Sequence, residues 1–372
     1  MPLATNCVNV TPDAFPESGQ LWQTAEMDFP RKIRLLASLV LGAGLSSAPV
    51  SPVVAQAEAG GGFQAYLQYV SAKARGQGVG QQAIDSVLSG LSYNPRVVAL
   101  DRAQPGSSPG SPPAFSGYYA RHIGAERINL GRAALASNAE VLSRIEAQYG
   151  VPRQVIVAIW GKETFYGRIK GDFDLPRSLS TLAYEGRRRD LFEGELIALM
   201  KMVDRGVPRS QLLGSWAGAF GNPQFLPSVY LRVARDGDGD GKADIWNSRA
   251  DTFASIANYF RDAGWRTGDP WGVRASTPPN LNRALISNHL NSPTCPAVHD
   301  RHSAWKTVAE WRAMGVIPQA PIADQTMAAL FEPDGSGNGI YLLTGNYRII
   351  LDYNCSNYYA LSVALLADQI AR

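Results

Sequence analysis

A mainly α-helical fold is what this sequence predicts, and three patterns predict it. Apolar residues recur at spacings of three and four in one stretch after another, as in Phe192, Leu196, Leu199, Met200 and Val203. Glycine and proline punctuate those stretches where helices stop and start, as at Gly150 and Pro152. A single Asp/Gly-rich run near residues 236–244 reads as a small insert between helices. The chain has 372 residues, 45% hydrophobic and 18% charged, which suits one large domain or two modest ones sharing a cleft. Its formal charge of +3, with no Lys/Arg cluster interleaved with aromatics, argues against nucleic acid as a partner.

The elements follow in order. Arg31, Lys32 and Arg34 precede the apolar run from Leu35 to Leu45, and Ala55-Gln56-Ala57 follows it. That order is a secretory signal peptide over residues 27–57, cleaved near Ala57. Met27 stands directly before the basic cluster, so residues 1–26 read as the product of a start codon placed too early. The apolar run is well short of the roughly 20 residues a spanning helix needs, and a soluble mature chain, residues 58–372, is expected. No cysteine ends the signal peptide, which argues against a lipid anchor. With Cys7 removed, Cys295 and Cys355 remain in an oxidising compartment, as a disulfide or as two buried thiols.

Residues Phe63 to Leu100 read as helical, with Tyr66, Tyr69 and Val70 on one stripe and Ile84, Val87 and Leu88 on another. The Pro/Gly/Ser run 104–113 is a linker or surface loop. Ser137 with Glu140 offers a capping box ahead of the stripe Val141, Leu142 and Ile145, and Gly150 stands where a C-terminal cap belongs. A new helix starts at Pro152. Ile156 and Ile159 share one of its faces, and Glu163 falls four residues further on, so its carboxylate projects along the buried stripe. The segment 214–227 is too rich in Gly and Pro for a continuous helix, whereas Phe253, Ile256, Ala257 and Phe260 form a core stripe. Tyr359 to Ile370 is a closing helix.

A carboxyl on an apolar stripe holds its proton, because desolvation penalises the charged form. Glu163 is therefore a candidate general acid, the group that protonates a leaving glycosidic oxygen. The alternative is a structural ion pair with Arg168 or with one of Arg187 to Arg189. Asp236, Asp238, Asp240 and Asp244 occupy positions 1, 3, 5 and 9 of an EF-hand-like loop, with Gly241 at 6 and Lys242 at 7. Asn247 stands twelfth, where a bidentate Glu is the rule. Calcium and an empty Asp/Gly turn are the two readings of the run, and Asp251 reads as an N-cap for a helix beginning at Thr252. His122, His289, His299 and His302 show no metal-ligand spacing and read as surface groups.

The motifs carry more than the periodicity. Tyr149-Gly150-Val151-Pro152 and Ala158-Ile159-Trp160-Gly161-Lys162-Glu163-Thr164-Phe165-Tyr166-Gly167 are followed by Ser180-Thr181-Leu182-Ala183-Tyr184 with Arg187-Arg188. Then come Gly214-Ser215-Trp216-Ala217-Gly218-Ala219, Gln224-Phe225-Leu226-Pro227-Ser228, Asn258-Tyr259-Phe260, Asn346-Tyr347-Arg348 and Tyr353-Asn354 with Tyr358-Tyr359-Ala360-Leu361. In this order they resemble the lytic transglycosylase B family, from about Phe63 to Ile370. The resemblance implies a lysozyme-like catalytic core, a helical N-terminal portion and a small insert, about 230–251, carrying the EF-hand-like loop; a closing segment follows at about 340–372. It implies Glu163 as the single acid/base, and Ser215, Gln224, Tyr259, Tyr353 and Asn354 along a cleft for peptidoglycan glycan strands. It also implies a structural calcium ion at Asp236, Asp238, Asp240, Lys242 and Asp251, no cofactor for catalysis, and a periplasmic location. Phe220 departs from the family's usual Met and is expected to alter fit beside the groove. A catalytically idle wall-binding protein and a hydrolytic muramidase are the competing readings.

Overall fold

Helices form where the apolar spacing demands them, and they gather around separate cores. The computed structural model describes residues 52–103, 114–288, 292 and 295–372. The expected loop at 104–113, His289 and the expected leader up to residue 51 lie outside these.

The first helices are α1 (Pro52–Gly76), α2 (Gln81–Leu88) and α3 (Pro95–Arg102). The helical stretch expected over 63–100 is thus three helices with two breaks between them. The second break has a local cause: Asn94 accepts the Arg96 N–H at 3.1 Å and Pro95 takes the first helical position, so a new helix must start there. Val70, Ile84 and Val87 are buried as their spacing requires, but Tyr69 is 55% exposed.

Next come α4 (Phe115–His122), α5 (Ala125–Ser137), α6 (Ala139–Tyr149) and α7 (Arg153–Thr164). The Ser137–Glu140 capping box does not form. Ser137 is the last residue of α5, and Asn138 alone separates it from α6, its side-chain amide donating back to the Ala134 carbonyl at 2.7 Å. The pair β1 (Phe173–Asp174) and β2 (Leu213–Gly214) is antiparallel and brackets α8 (Leu175–Glu185) and α9 (Arg189–Asp204). Then follow α10 (Pro227–Val233) and α11 (Arg249–Asp262).

Beyond α11 lies an antiparallel sheet that the sequence reading did not foresee. Its members are β3 (Gly272–Ser276), β4 (Lys306–Thr307), β5 (Ile317–Pro318), β6 (Met327–Phe331) and β7 (Tyr341–Leu343), in the order β4-β6-β7-β3-β5. Two short helices, α12 (Pro296–His299) and α13 (Val308–Ala313), fall between its strands. Strands of two to five residues are too short to display a period of two, so helical templates dominate any window that contains them. Fully buried Trp311 anchors α13 on the sheet, its indole N–H donating to the Ala328 carbonyl at 2.9 Å. The chain closes with α14 (Gly345–Tyr353) and α15 (Asn357–Ile370).

One core joins α6, α7, α11, α14 and α15; a second joins α1, α2, α8 and α9 with the loop around 212–225; a third lies under the sheet. Leu361, Val363 and Leu366 of α15 are wholly buried, and truncating Leu366 to Ala costs about 2–5 kcal/mol. Tyr259 and Tyr353 touch the first two cores at once, which marks the seam between them.

Cys295 and Cys355 are bonded, with Cα atoms 5.4 Å apart, closing a span of 60 residues across the sheet. A loop of that length stabilises by about 4 kcal/mol in the chain-entropy account. His299 and His302, expected at the surface, are buried at 3% and 5% exposure. Burial pushes each imidazole down to about 4, so both are neutral at pH 7 and serve as core. His302 Nε2 lies 2.6 Å from Oδ1 of Asn357, the first residue of α15. Among the described residues no helix is long and apolar enough to cross a membrane.

Candidate active site and metal loop

The site begins with the way α7 is set. Gly150 ends α6 in a left-handed conformation (φ 71°), and a Cβ there would fall 2.0 Å from Thr267 Oγ1, so glycine alone fits. The chain then turns into α7, whose residues Val155 to Lys162 are all buried. Its far end is sharp: Phe165 and Tyr166 both take positive φ, 49° and 60°. Such conformations cost of order 1–3 kcal/mol each and need support from outside the helix. Thr164 and Asn222 supply it. Thr164 Oγ1 lies 3.2 Å from the carbonyls of both Trp160 and Asn222 and accepts the Gly167 N–H at 3.1 Å. Asn222 accepts the Trp160 indole N–H and donates to the Trp246 carbonyl, both at 3.2 Å.

Glu163 sits one residue inside this locked end. It is partly exposed, yet its carboxyl is desolvated enough to be pushed up to about 7. Two effects oppose that shift, the hydrogen bond that the Tyr359 hydroxyl donates to Glu163 Oε1 and the positive charge of Lys162, and burial outweighs both. Lys162 is itself buried, its ammonium donating to Tyr118 Oη at 3.1 Å and lying 4.8 Å from that ring's centroid. The structural ion pair considered for Glu163 is absent: Arg168 pairs with Glu126, and Arg187 and Arg188 with buried Asp101. Arg189 donates to the Tyr184 carbonyl.

The expected cleft residues fall unevenly around this acid. Tyr353 is held well above the usual phenol range by burial and by the neighbouring Glu163 charge, and its hydroxyl donates to the Pro223 carbonyl at 2.6 Å. Tyr259 stands edge-on to it at 4.7 Å and donates to the Asp352 carbonyl at 3.0 Å. Phe225 lies 6.0 Å from both rings. Gln224 adopts a positive φ of 52°, unusual for its type, while its side-chain amide donates to the Gly221 carbonyl at 2.9 Å. Ser215 is buried and its hydroxyl accepts the Ala219 N–H at 2.9 Å, closing its own turn. Gly214 lets that turn close, since a Cβ on it would meet the Ala219 carbonyl oxygen at 2.2 Å. Asn354 is buried at the end of α14.

Phe220 does not face the groove. It is wholly buried, with its ring against Trp246 at 5.3 Å, so its extra bulk is taken up in the core behind the loop. Sequence reasoning passed over Tyr359, Lys162, Tyr118 and Asn222. Tyr359 had a signal, a hydroxyl-bearing aromatic at the head of an apolar helix within a quoted motif; Asn222 had none.

The Asp-rich loop brings oxygens of Asp236, Asp238 and Asp251 within 4.8 Å of one another. Asp251 is fully buried, and burial and the Asp238 charge both raise its pKa against two backbone N–H donors, from Gly237 and Asp244. Its alternative role as a helix N-cap is excluded, because Ser248 caps α11 and Asp251 lies inside that helix. Asp240 is not among these three and accepts the Lys242 N–H at 2.8 Å. Asn247 donates to Asp244. Two exposed carboxylates facing a buried one are a donor set that a hard divalent cation fits.

A partly exposed carboxyl that holds its proton near neutrality stands at the end of a helix, beside tyrosines at the seam between two cores, within a mainly helical, lysozyme-like fold. Residues 62–368 match the family described as the transglycosylase SLT domain, and the chain belongs to that family. It is 30% identical over 312 residues, 82% of each chain, to the membrane-bound lytic murein transglycosylase B of Escherichia coli K12. Among solved structures, SltB3 from Pseudomonas aeruginosa in complex with NAG-anhNAM-pentapeptide superposes with a TM-score of 0.74 at 36% identity, covering 83% of this chain and 79% of that one. The Escherichia coli lytic transglycosylase Slt35 in complex with calcium gives 0.66 at 28% identity, covering 84% and 93%.

Proposed function

We propose that this lytic transglycosylase acts outside the cytoplasm, cutting the bond between N-acetylmuramic acid and N-acetylglucosamine without water and leaving 1,6-anhydromuramyl ends. The observation that carries the reading is Glu163, a carboxyl raised to about 7 and partly open on one side. A group of that kind is protonated in a useful fraction at neutral pH and can also act as its own conjugate base. In the first half-reaction Glu163 gives its proton to the glycosidic oxygen, the C1–O bond of the muramyl residue breaks, and the neighbouring N-acetyl oxygen stabilises C1. In the second, the Glu163 carboxylate takes the proton of the muramyl C6 hydroxyl while that oxygen bonds to C1. The enzyme ends as it began, and no cofactor takes part. Tyr359 holds the carboxyl in place through both steps, and Ser215, Gln224, Tyr259, Tyr353 and Asn354 form the sugar-binding walls.

Incubating the mature chain with purified sacculi and analysing products by mass spectrometry tests this. The expected result is 1,6-anhydromuropeptides from the wild type and none from Glu163→Gln; an intact sacculus with the wild type would mean a clamp without catalysis. One observation favours a second reading, a hydrolytic muramidase: Asp352, next to Tyr353, is itself raised to about 6 by burial. A hydrolase would use two carboxyls, so it would give reducing ends and lose activity in Asp352→Asn, whereas the transglycosylase keeps both its product and its rate.

Export by a signal peptide over residues 27–57 and a periplasmic destination complete the reading; N-terminal sequencing of the exported protein near Glu58 checks them. For the loop, calcium held by Asp236, Asp238 and Asp251, with the Lys242 carbonyl and Asp240 completing the set, would neutralise a costly cluster of charge. Chelation is then expected to lower the melting temperature, and Asp251→Asn to abolish that response.

A further inference from the structure

Around the end of β3 lies an open pocket of about 620 Å³ that the proposed reaction leaves unused. Arg274, Ser276, Arg283, Gln319, Gly337 and Ile340 contribute to its walls. The alternation along β3 sends Val273 and Ala275 into the sheet core and turns Arg274 and Ser276 outward. The two arginines differ in what they have left to offer. Arg283 is neutralised by a two-pronged bond to Glu332, at 2.8 and 2.7 Å. Arg274 rests 5.2 Å from the Tyr341 ring centroid and has no carboxylate ion pair among the described residues. A guanidinium stacked in this way is pre-oriented, while its edge keeps the forked N–H donors that match a carboxylate.

The charge of Arg274 also reaches helices that meet Glu163. Tyr119 of α4 and Asp368 of α15 both feel the Arg274 charge. Tyr118, beside Tyr119, receives the Lys162 bond, and Tyr359 on α15 holds Glu163. Tyr359 and Asp368 are nine residues apart, roughly 13 Å along a helix axis. Ligand pockets typically enclose roughly 300–1,000 Å³, so this one has room for a few peptide units as well as a terminal carboxylate.

We propose that this pocket is a second binding site, which takes the free carboxylate end of a short peptide on Arg274 while Gln319 and Ser276 meet the peptide's amide groups. The proposal rests on the peptidoglycan reading, in which the peptide is the stem carried by a muramyl residue, and it gives the sheet a task in recognition apart from cleavage.

The test uses the full mature chain carrying Glu163→Gln, titrated calorimetrically with an N-acetylated pentapeptide ending in D-Ala-D-Ala, as the free acid and as the C-terminal amide. The acid should bind at least about tenfold more tightly than the amide, the loss expected when a charge-assisted bond is removed. Arg274→Gln should bring the acid down to the amide's level, and Arg274→Lys should restore part of the difference. Equal binding of acid and amide, binding of neither, or an unaltered acid affinity in Arg274→Gln overturns the proposal. Glycan strands stripped of their stems supply a separate arm, where wild type and Arg274→Gln should cleave alike; a slower variant there also overturns it. Should the wild type yield no anhydro products from sacculi, the proposed reaction fails, and the titration still reports on the pocket.

Discussion

Glu163 and Glu195 are two carboxyls on apolar helix faces, and burial raises the pKa of both. Glu195, on α9, has both oxygens engaged, one by the Ser228 N–H at 2.9 Å and the other by the Ser228 hydroxyl at 2.6 Å, where it closes the start of α10. Glu163 accepts only the Tyr359 hydroxyl among the described residues and stays partly open. Desolvation therefore decides whether a carboxyl keeps its proton near neutrality. What its oxygens touch decides whether it can pass that proton on.

The largest effect that would break this contrast is on Glu163. Glu163→Gln is expected to lower the rate of sacculus cleavage by about 10²–10⁴ while leaving the fold intact, as checked by product release and circular dichroism. Glu195→Gln should do the reverse, costing about 1–3 kcal/mol in urea unfolding with the rate per folded molecule near that of the wild type. A stable but inactive Glu195→Gln would show that Glu195 acts in the chemistry.

Tyr359→Phe is a finer probe. Its hydrogen bond lowers the Glu163 pKa, so removing it should move the high-pH fall of kcat/KM, where the acid is lost, to higher pH. A fall at unchanged pH would detach Tyr359 from the acid. The smallest effect is on stability. The Glu163 pKa in the folded chain, about 7, exceeds its ordinary value of 4.5, so the folded state binds this proton more tightly than the unfolded one. The stabilisation is complete below about 4.5 and is lost as pH rises to about 7. The melting temperature of the wild type relative to Glu163→Gln should decline across that window and level off above it.

How much of this was legible in the sequence varied with the length of each pattern. The α7 stripe and Glu163 could be read because twelve helical residues repeat the period. Periodicity could not have separated Glu163 from Glu195, since the surroundings of both are apolar; the ordered motifs made that choice. The sheet escaped because its strands are shorter than the pattern that reveals a strand. The histidines and Phe220 were misplaced for one reason: burial of a single side chain depends on partners distant in sequence, such as Asn357 for His302 and Trp246 for Phe220. Asp251 comes close to Asp236 and Asp238 because α11 delivers it from inside its first turn, which spacing within the loop does not display.

Cys355 stands four residues ahead of Tyr359, and its bond to Cys295 gathers β4, β5, β6 and β7 into a covalent ring rooted just ahead of α15. Short strands breathe readily, and a tether at the ring's neck keeps such breathing from swivelling the helix that carries the phenol.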